Sequence, residues 1–349
     1  MADVFVILRI IFICGALASA QKCTPTFQNA LVTVSGSVPT FTRRVSGCIN
    51  SKSLGVRNNN RITIEVRNQA IDALNRAAVS DIQVEELHII HNHIQMIKEG
   101  AFLNLPILRM LYLDNNHLTS LERYSFEGLP SLRGIYLRHN SINAIFANTF
   151  VNLPSLSMLF LDNNNLKTFN QNWFSSTPEL KWLLLDDNQI TFIGMAAFQD
   201  LPSLESLGFE GNKLSHIHPD AFHGLPQLSE LILGKNQLSS FNIQLKELPN
   251  LYRLGINQNR FTHIPISVFD VVRNSLKEIW IYSNPLQCSC VDEFVIWGEK
   301  YNIEVRWKCE DREIYCLLPL SGETDCAKRG ESEFNATYID LFQSECLVL

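Results

Sequence analysis

Histidine is the residue type here that could most readily bind a metal ion, and three histidines lie close together. His88, His91 and His93 fall within six residues, and His139 follows further along the chain. Neutral imidazole is a common metal ligand. His88 and His91 can share one face of a strand, but His93 should lie in the turn beyond it, so the three rings should not converge. We predict no metal and no cofactor.

The sequence also lacks the short motifs that assemble a catalytic centre. It contains no nucleophile elbow, phosphate loop or H-E-x-x-H motif. Its formal net charge is −6 and no basic stripe runs along it, which disfavours nucleic-acid binding. We predict a protein that is not an enzyme and does not bind nucleic acid.

A fixed period organises most of the chain. Each of nine asparagines follows the apolar frame L-x-x-L-x-L-x-x-N-x-L, and a period this long indicates stacked structural repeats. The spacing is 24 residues six times, then 23 and 25, for Asn92, Asn116, Asn140, Asn164, Asn188, Asn212, Asn236, Asn259 and Asn284.

The frame assigns a structural role to each repeated residue type. Leu111 and Leu113 should point into the core, while Tyr112 between them points to the other face of a strand. The asparagine amide can pair with buried loop N–H and C=O groups, so the nine should form a ladder. A second buried stack is predicted on the convex side from Phe102, Phe126, Phe150, Phe174, Phe198 and Phe222.

The N-terminus has the pattern of a secretion signal. An apolar run from Val4 to Leu17 is followed by Ala18-Ser19-Ala20, a small-x-small cleavage site. The alternative is a signal anchor that stays in the membrane. We predict a signal peptide over residues 1–20, secretion to the extracellular space, and no membrane span after the signal is removed.

Cysteine usage agrees with an oxidising compartment. Eight cysteines remain after the signal, and all of them lie outside the nine repeats. A solenoid has an open apolar core at both ends, so disulfide-bonded caps are expected there. A zinc site is the alternative, but Cys288-x-Cys290 lacks the C-x-x-C spacing. The disulfide candidates are Cys23, Cys48, Cys288, Cys290, Cys309, Cys316, Cys326 and Cys346.

Residues 84–286 resemble the 24-residue extracellular class of leucine-rich repeats. The run from Asn284 to Cys290, with Trp297 and Cys309, resembles the C-terminal flanking cap of secreted and cell-surface members. The resemblance implies an α/β solenoid, a horseshoe with a parallel concave β-sheet, built from nine repeats plus a degenerate first turn. The implied segments are an N-terminal cap at 21–61, the degenerate repeat at 62–83, the repeats at 84–286 and a cysteine-rich cap at 287–349.

The same resemblance implies a disulfide pairing. Cys288 would pair with Cys309, and Cys290 with either Cys326 or Cys346. A bridge between Cys23 and Cys48 would close a reduced form of the family's N-terminal cap.

The C-terminal cap should contain one short helix. Val291, Phe294, Trp297 and Tyr301 recur at helical spacing, and Ser289 with Asp292 could cap its start. We expect this helix to plug the open core. The cap also carries the sequon Asn335-Ala336-Thr337, so the protein is predicted to be a glycoprotein modified at Asn335.

Residues that the frame does not dictate lie on the concave face, where function should reside. Large aromatic and methionine side chains fall in adjacent strands, with acidic residues beside them. Such a patch is typical of a site that binds a protein, here one with a basic surface. The predicted partner-binding residues are Met110, Tyr112, Tyr136, Met158, Phe160, Asp162, Trp182, Asp186, Asp187 and Glu210.

These observations favour a secreted, non-enzymatic recognition module that binds a protein partner on its concave face. A non-catalytic accessory subunit of a secreted enzyme complex is the first alternative. An extracellular matrix component is the second, and its usual ligands suit an acidic concave face poorly.

Overall fold

The structure is a computed structural model that describes residues 23–308, 316, 317 and 326. The predicted signal peptide at 1–20, the sequon at Asn335, and two of the cysteines, Cys309 and Cys346, lie outside the described residues.

One long sheet runs the length of the described solenoid. Its thirteen strands, in chain order, are β1 Phe27–Gly36, β2 Phe41–Gly47, β3 Ile62–Arg67, β4 Val84–Ile90, β5 Met110–Tyr112, β6 Gly134–Tyr136, β7 Met158–Phe160, β8 Trp182–Leu184, β9 Ser206–Gly208, β10 Glu230–Ile232, β11 Arg253–Gly255, β12 Glu278–Trp280 and β13 Glu304–Arg306.

Strands β3 to β13 are parallel and stack in chain order, which confirms the predicted solenoid. The first two strands lie in the segment expected to be the N-terminal cap, for which no strands were predicted; β1 and β2 form an antiparallel hairpin that extends the sheet at its N-terminal end. The register brings equivalent repeat positions side by side, so Tyr112, Tyr136 and Phe160 are direct neighbours.

Short pieces of regular structure line the side away from the long sheet. Three single-turn 3-10 helices occur at Gln171–Trp173, Leu245–Glu247 and Ile266–Phe269. Two-residue strands pair in parallel as Ala73–Leu74 with Met96–Ile97, Val79–Ser80 with Phe102–Leu103, Ser120–Leu121 with Ala144–Ile145, Phe150–Val151 with Phe174–Ser175, and Phe192–Ile193 with His216–Ile217.

The asparagine ladder forms as predicted. Asn164 is buried; its Oδ1 accepts from the backbone N–H of Ile142 at 3.0 Å, and its Nδ2 donates to the carbonyls of Leu137 and Leu161 at 2.9 and 3.0 Å. The amide therefore bonds both to its own repeat and to the preceding one. Each rung satisfies backbone groups that would otherwise be buried without a partner.

The residue before each ladder asparagine has a left-handed backbone, which the frame did not predict. Asn, Asp and His tolerate this conformation better than most residues, and glycine adopts it freely. Several polar residues beside the ladder are thus explained by the turn. The nine are His91, Asn115, His139, Asn163, Asp187, Gly211, Lys235, Gln258 and Ser283, with φ between 50° and 67°.

The phenylalanine stack also forms, with one interruption. Ring centroids of Phe102, Phe126, Phe150 and Phe174 follow one another at 6.4, 5.6 and 5.5 Å. Phe169 then intervenes and contacts the ring of Phe198 at 4.6 Å. Most repeats place a smaller aliphatic residue at this position, such as Ile145 and Ile193, so the larger ring reaches into the stack.

Two helices close the ends of the core. Helix α1, Ser51–Leu54, begins with a capping box between Asn50 and Ser53. Helix α2, Cys288–Tyr301, buries Val291, Phe294 and Trp297, as expected of a plug. The predicted capping pair Ser289 and Asp292 is wrong. The helix begins two residues earlier than that pair implies, because its N-cap is Gln287, whose side chain makes no capping hydrogen bond.

Three disulfides join the described cysteines. The Cys23–Cys48 bridge is confirmed, and Cys290 pairs with Cys326, one of its two predicted partners. The predicted Cys288–Cys309 pair is wrong, because Cys288 bonds to Cys316. Leu317 exchanges backbone hydrogen bonds with Leu286 and Cys288 at 2.7 and 2.9 Å, and this pairing holds Cys316 beside Cys288.

Candidate functional site

Four rings form a continuous stack across the concave face. His88, Tyr112, Tyr136 and Phe160 are register partners on the adjacent strands β4 to β7, with successive centroids 4.2, 4.4 and 4.9 Å apart. The first two pairs are nearly parallel, with interplanar angles of 16° and 21°, while Phe160 is tilted by 41° against Tyr136. All four side chains are half-buried. We call these four residues the ring stack.

Burial and the neighbouring Tyr136 raise the pKa of Tyr112 to about 12, so its hydroxyl stays protonated at neutral pH. The sequence placed His88 in this column but did not include it among the binding residues. The signal that could have identified it was its position beside Tyr112 in the repeat register.

Two methionines pack beside the ring stack, over a glycine. Met110 and Met158 flank Gly134 in the next column of the sheet. A Cβ on Gly134 would lie 2.9 Å from Met110 Sδ and 3.4 Å from Met158 Cε. The two methionine side chains occupy the space that a side chain at residue 134 would need. Trp182 continues this column beyond Met158, and is 37% exposed.

Arg138 links the aromatic and acidic parts of the site, and sequence reasoning did not select it. Its guanidinium lies 4.3 Å from the centroid of the Phe160 ring, and its Nε donates to Asp162 Oδ2 at 2.9 Å. Its backbone N–H donates to Asp114 Oδ1 at 2.7 Å. The Arg138 guanidinium therefore packs on the Phe160 ring and offsets the negative charge of the buried Asp162 carboxylate.

Asp186 lies in a hollow of the sheet. Its Oδ1 accepts the backbone N–H of Glu210 at 2.6 Å, and its carboxylate stands over Gly208, where a Cβ would clash with it. Burial, reinforced by the negative charge of Asp162, raises the pKa of Asp186 to about 8. Asp186 is therefore largely protonated at neutral pH.

The remaining acidic residues differ in how exposed their charge is. Asp187 occupies a left-handed turn position and is exposed, and burial of part of its carboxylate raises its pKa. Glu210 forms an ion pair with Lys235 at 3.1 Å. Asp162 is paired with Arg138 and Asp186 is largely neutral, so the four acidic residues together carry less negative charge at neutral pH than the sequence alone suggests.

The histidines singled out in the sequence do not come together. His88 belongs to the ring stack, His91 is exposed in a left-handed turn, and His93 faces His117 at a centroid distance of 5.1 Å. Among the residues that the structure describes, no group of three or more His, Cys, Asp or Glu side chains is placed to hold a metal ion.

Comparison with known families agrees with this geometry. The family model described as Leucine rich repeat matches three overlapping segments, residues 82–142, 133–190 and 178–238. The chain folds as a leucine-rich repeat protein. A comparison with curated proteins finds no matching sequence.

Two solved structures align with this chain. A chain of the octameric complex of Latrophilin 3, Unc5D and FLRT2 aligns with 24% identity over 72% of this chain and 82% of that one, with a TM-score of 0.54. A chain of the TLR13–ssRNA13 complex aligns with 22% identity over 69% of this chain and 43% of that one, with a TM-score of 0.47.

The C-terminal third of the concave face differs from the ring stack. Arg253 pairs with Glu230 at 2.5 Å and with Glu278 at 2.6 Å, and Arg306 pairs with Glu278 at 2.8 Å. Both guanidiniums lie 5.7 Å from the Trp280 ring. These charges pair with one another, which distinguishes this end of the concave face from the ring stack at the other end.

No helix in the described residues is long and apolar enough to cross a membrane.

Proposed function

We propose that this leucine-rich repeat protein is a secreted, non-enzymatic recognition protein that binds a protein partner at the ring stack. The observation that carries the proposal is the continuous stack of four half-buried rings on adjacent strands. Rings that pack on one another have little rotational freedom left to lose, so binding at their edges costs little conformational entropy.

The proposed partner presents a basic surface. Asp162, Asp186, Asp187 and Glu210 follow the ends of strands β7 to β9, and Arg138 connects Asp162 to the Phe160 ring. A partner cation placed near Asp186 would favour its charged form and lower its pKa. Association should then release a proton and strengthen as the pH rises from 6 to about 9, through the pKa of Asp186.

Affinity capture from the protein's native extracellular fluid tests the proposal. The bait is the full secreted chain, and the test variant is Tyr136→Ala with Phe160→Ala. The matched control is Phe146→Ala with Phe192→Ala, which removes two phenylalanines that are 45% and 48% exposed outside the concave face. Thermal unfolding verifies that each bait is folded.

We expect one partner to be recovered by the parent chain and the control, and recovery to fall at least about tenfold with the concave variant. Equal recovery by all three baits would refute the concave site. A constant stoichiometric enzyme among the captured proteins would instead identify an accessory subunit, and collagen or glycosaminoglycan would identify a matrix component.

A further inference from the structure

The outermost strand at the N-terminal end has an open edge. Strand β2 pairs with β1 along one side, and within residues 23–308 no strand pairs with its other side. An edge strand carries a row of unpaired N–H and C=O groups to which an extended chain can add. At the opposite end β13 has only three residues, against seven in β2, and so is a shorter template.

The end of the solenoid that carries β2 is basic, although the whole chain is acidic. Residues 23–80 contain seven Lys and Arg but two Asp and Glu, while the full chain has a formal net charge of −6. Arg61 and Arg67 pair with glutamates. The described part of the chain supplies no ion-pair partner to four further exposed cations, Arg43, Arg44, Lys52 and Arg57.

Two of these arginines lie on β2 and point to opposite faces. Arg43 lies on the same face as the buried Val45, and its guanidinium packs beside Gly55 and 5.9 Å from the Phe41 ring. Arg44 lies on the other face, opposite Leu31 of β1, which is 40% exposed. An added strand would therefore meet a cation on both of its faces.

A groove continues from the start of β2. It has a volume of about 490 Å³ and lies between the β1–β2 turn and the segment after α1. Val38, Phe41 and Val56 give it an apolar wall, and Arg57 stands among its lining residues. The groove can take apolar side chains from one face of an extended segment, while Arg43 and Arg57 attract carboxylates beside them.

We propose that β2 binds an extended acidic segment of a partner protein, which adds to the sheet as a further strand. A second copy of this chain is a poor occupant, because pairing β2 with itself would bring four arginines together. A sulfated polysaccharide is disfavoured since it could use neither the apolar groove nor the strand's hydrogen-bonding groups. This surface is separate from the ring stack and takes a partner of opposite charge.

A fluorescent peptide of alternating glutamate and valine, about eight residues long to span β2, is the probe. The control is the same peptide N-methylated at alternate residues. It keeps the side chains but lacks the backbone N–H groups that would donate to β2. Binding is measured by fluorescence anisotropy to the full chain, to Arg43→Gln with Arg44→Gln, and to Arg123→Gln with Arg260→Gln. The last variant removes two exposed cations elsewhere.

We expect the acidic peptide to bind the parent chain and the Arg123/Arg260 control equally. Loss of Arg43 and Arg44 should weaken binding at least about tenfold, and the N-methylated peptide should not bind. Equal binding of both peptides would overturn strand addition, as would tighter binding of a heparin fragment than of the peptide. Equal affinities for the two charge variants, or no saturable binding, would overturn the site itself.

Discussion

Asp186 occupies the space that a side chain at residue 208 would fill. A Cβ built on Gly208 would lie 2.7 Å from Asp186 Oδ1, the atom that accepts the Glu210 N–H. Glycine at this position therefore lets a carboxylate settle into the sheet, where burial controls its ionisation. The acidity of the concave face depends on this neighbour as well as on its carboxylates.

Substituting Gly208→Ala should push Asp186 out of its hollow. We expect a loss of about 1 kcal/mol in the free energy of unfolding and a lower pKa for Asp186, because its carboxylate becomes more exposed. Denaturant unfolding and NMR titration measure the two effects. Gly194→Ala is the control, since a Cβ there would meet only Phe192 Cε1 at 3.5 Å. An unchanged Asp186 pKa would contradict the assigned packing.

The protonation of Asp186 should make stability fall with rising pH. Its pKa is about 8 in the folded chain, against 3.8 for an aspartate side chain that is fully exposed to water. Between these values the folded chain holds a proton that the unfolded chain has lost, so the free energy of unfolding decreases as pH rises through this window.

Asp186→Asn reproduces the neutral form and should remove this pH dependence. The Asn variant should unfold at a higher temperature than the parent at pH 8.5, with a smaller difference at pH 5. Calorimetric scans at both pH values measure this, with Asp200→Asn as an exposed control. A parallel pH dependence of the parent and Asp186→Asn chains would show that Asp186 is not the group responsible.

Removing one rung of the asparagine ladder should be costly. Asn164→Ala leaves the N–H of Ile142 and the carbonyl of Leu137 buried without this partner, and we expect a loss of about 2 kcal/mol or more. Lys167→Ala, an exposed change in the same repeat, should alter stability little. Chemical denaturation compares the two, and similar losses would contradict the role of the amide.

Helix α2 should stabilise the repeats by closing their core. Phe294 is fully buried, with its ring centroid 5.4 Å from that of Phe269 in the preceding repeat. Phe294→Ala should cost about 3 kcal/mol. Ile296→Ala changes a residue of the same helix that is 65% exposed and should cost far less. Equal effects on the midpoint of thermal unfolding would mean that α2 is not a plug.

Peptide mapping without reduction tests the cysteine pairing. We expect a peptide that links Cys288 to Cys316 and another that links Cys290 to Cys326. Because Cys288 and Cys290 lie close in sequence, digestion must cleave between them or the linked peptides must be fragmented further. A Cys288–Cys309 link would restore the pairing implied by the family resemblance.

The sequence predicted the features that recur in every repeat, and it missed those that depend on a contact made by one residue. Leu111 and Asn116 could be placed because each repeat buries the same positions. The high pKa of Asp186 could not be predicted, because it arises from burial of the carboxylate over Gly208 on the next strand. The partner of Cys288 was missed because the strand-like pairing of Leu317 with Leu286 has no signal in cysteine spacing.

The ladder also gives the molecule a direction. Each asparagine accepts an N–H of the repeat before it, so every turn relies on its C-terminal neighbour; Asn284 does this for Asn259 and Phe261. Removal of a repeat from the C-terminal side strips a bonding partner from the next turn inward. Unzipping should therefore propagate from that end, which is where α2 and two of the described disulfides are found.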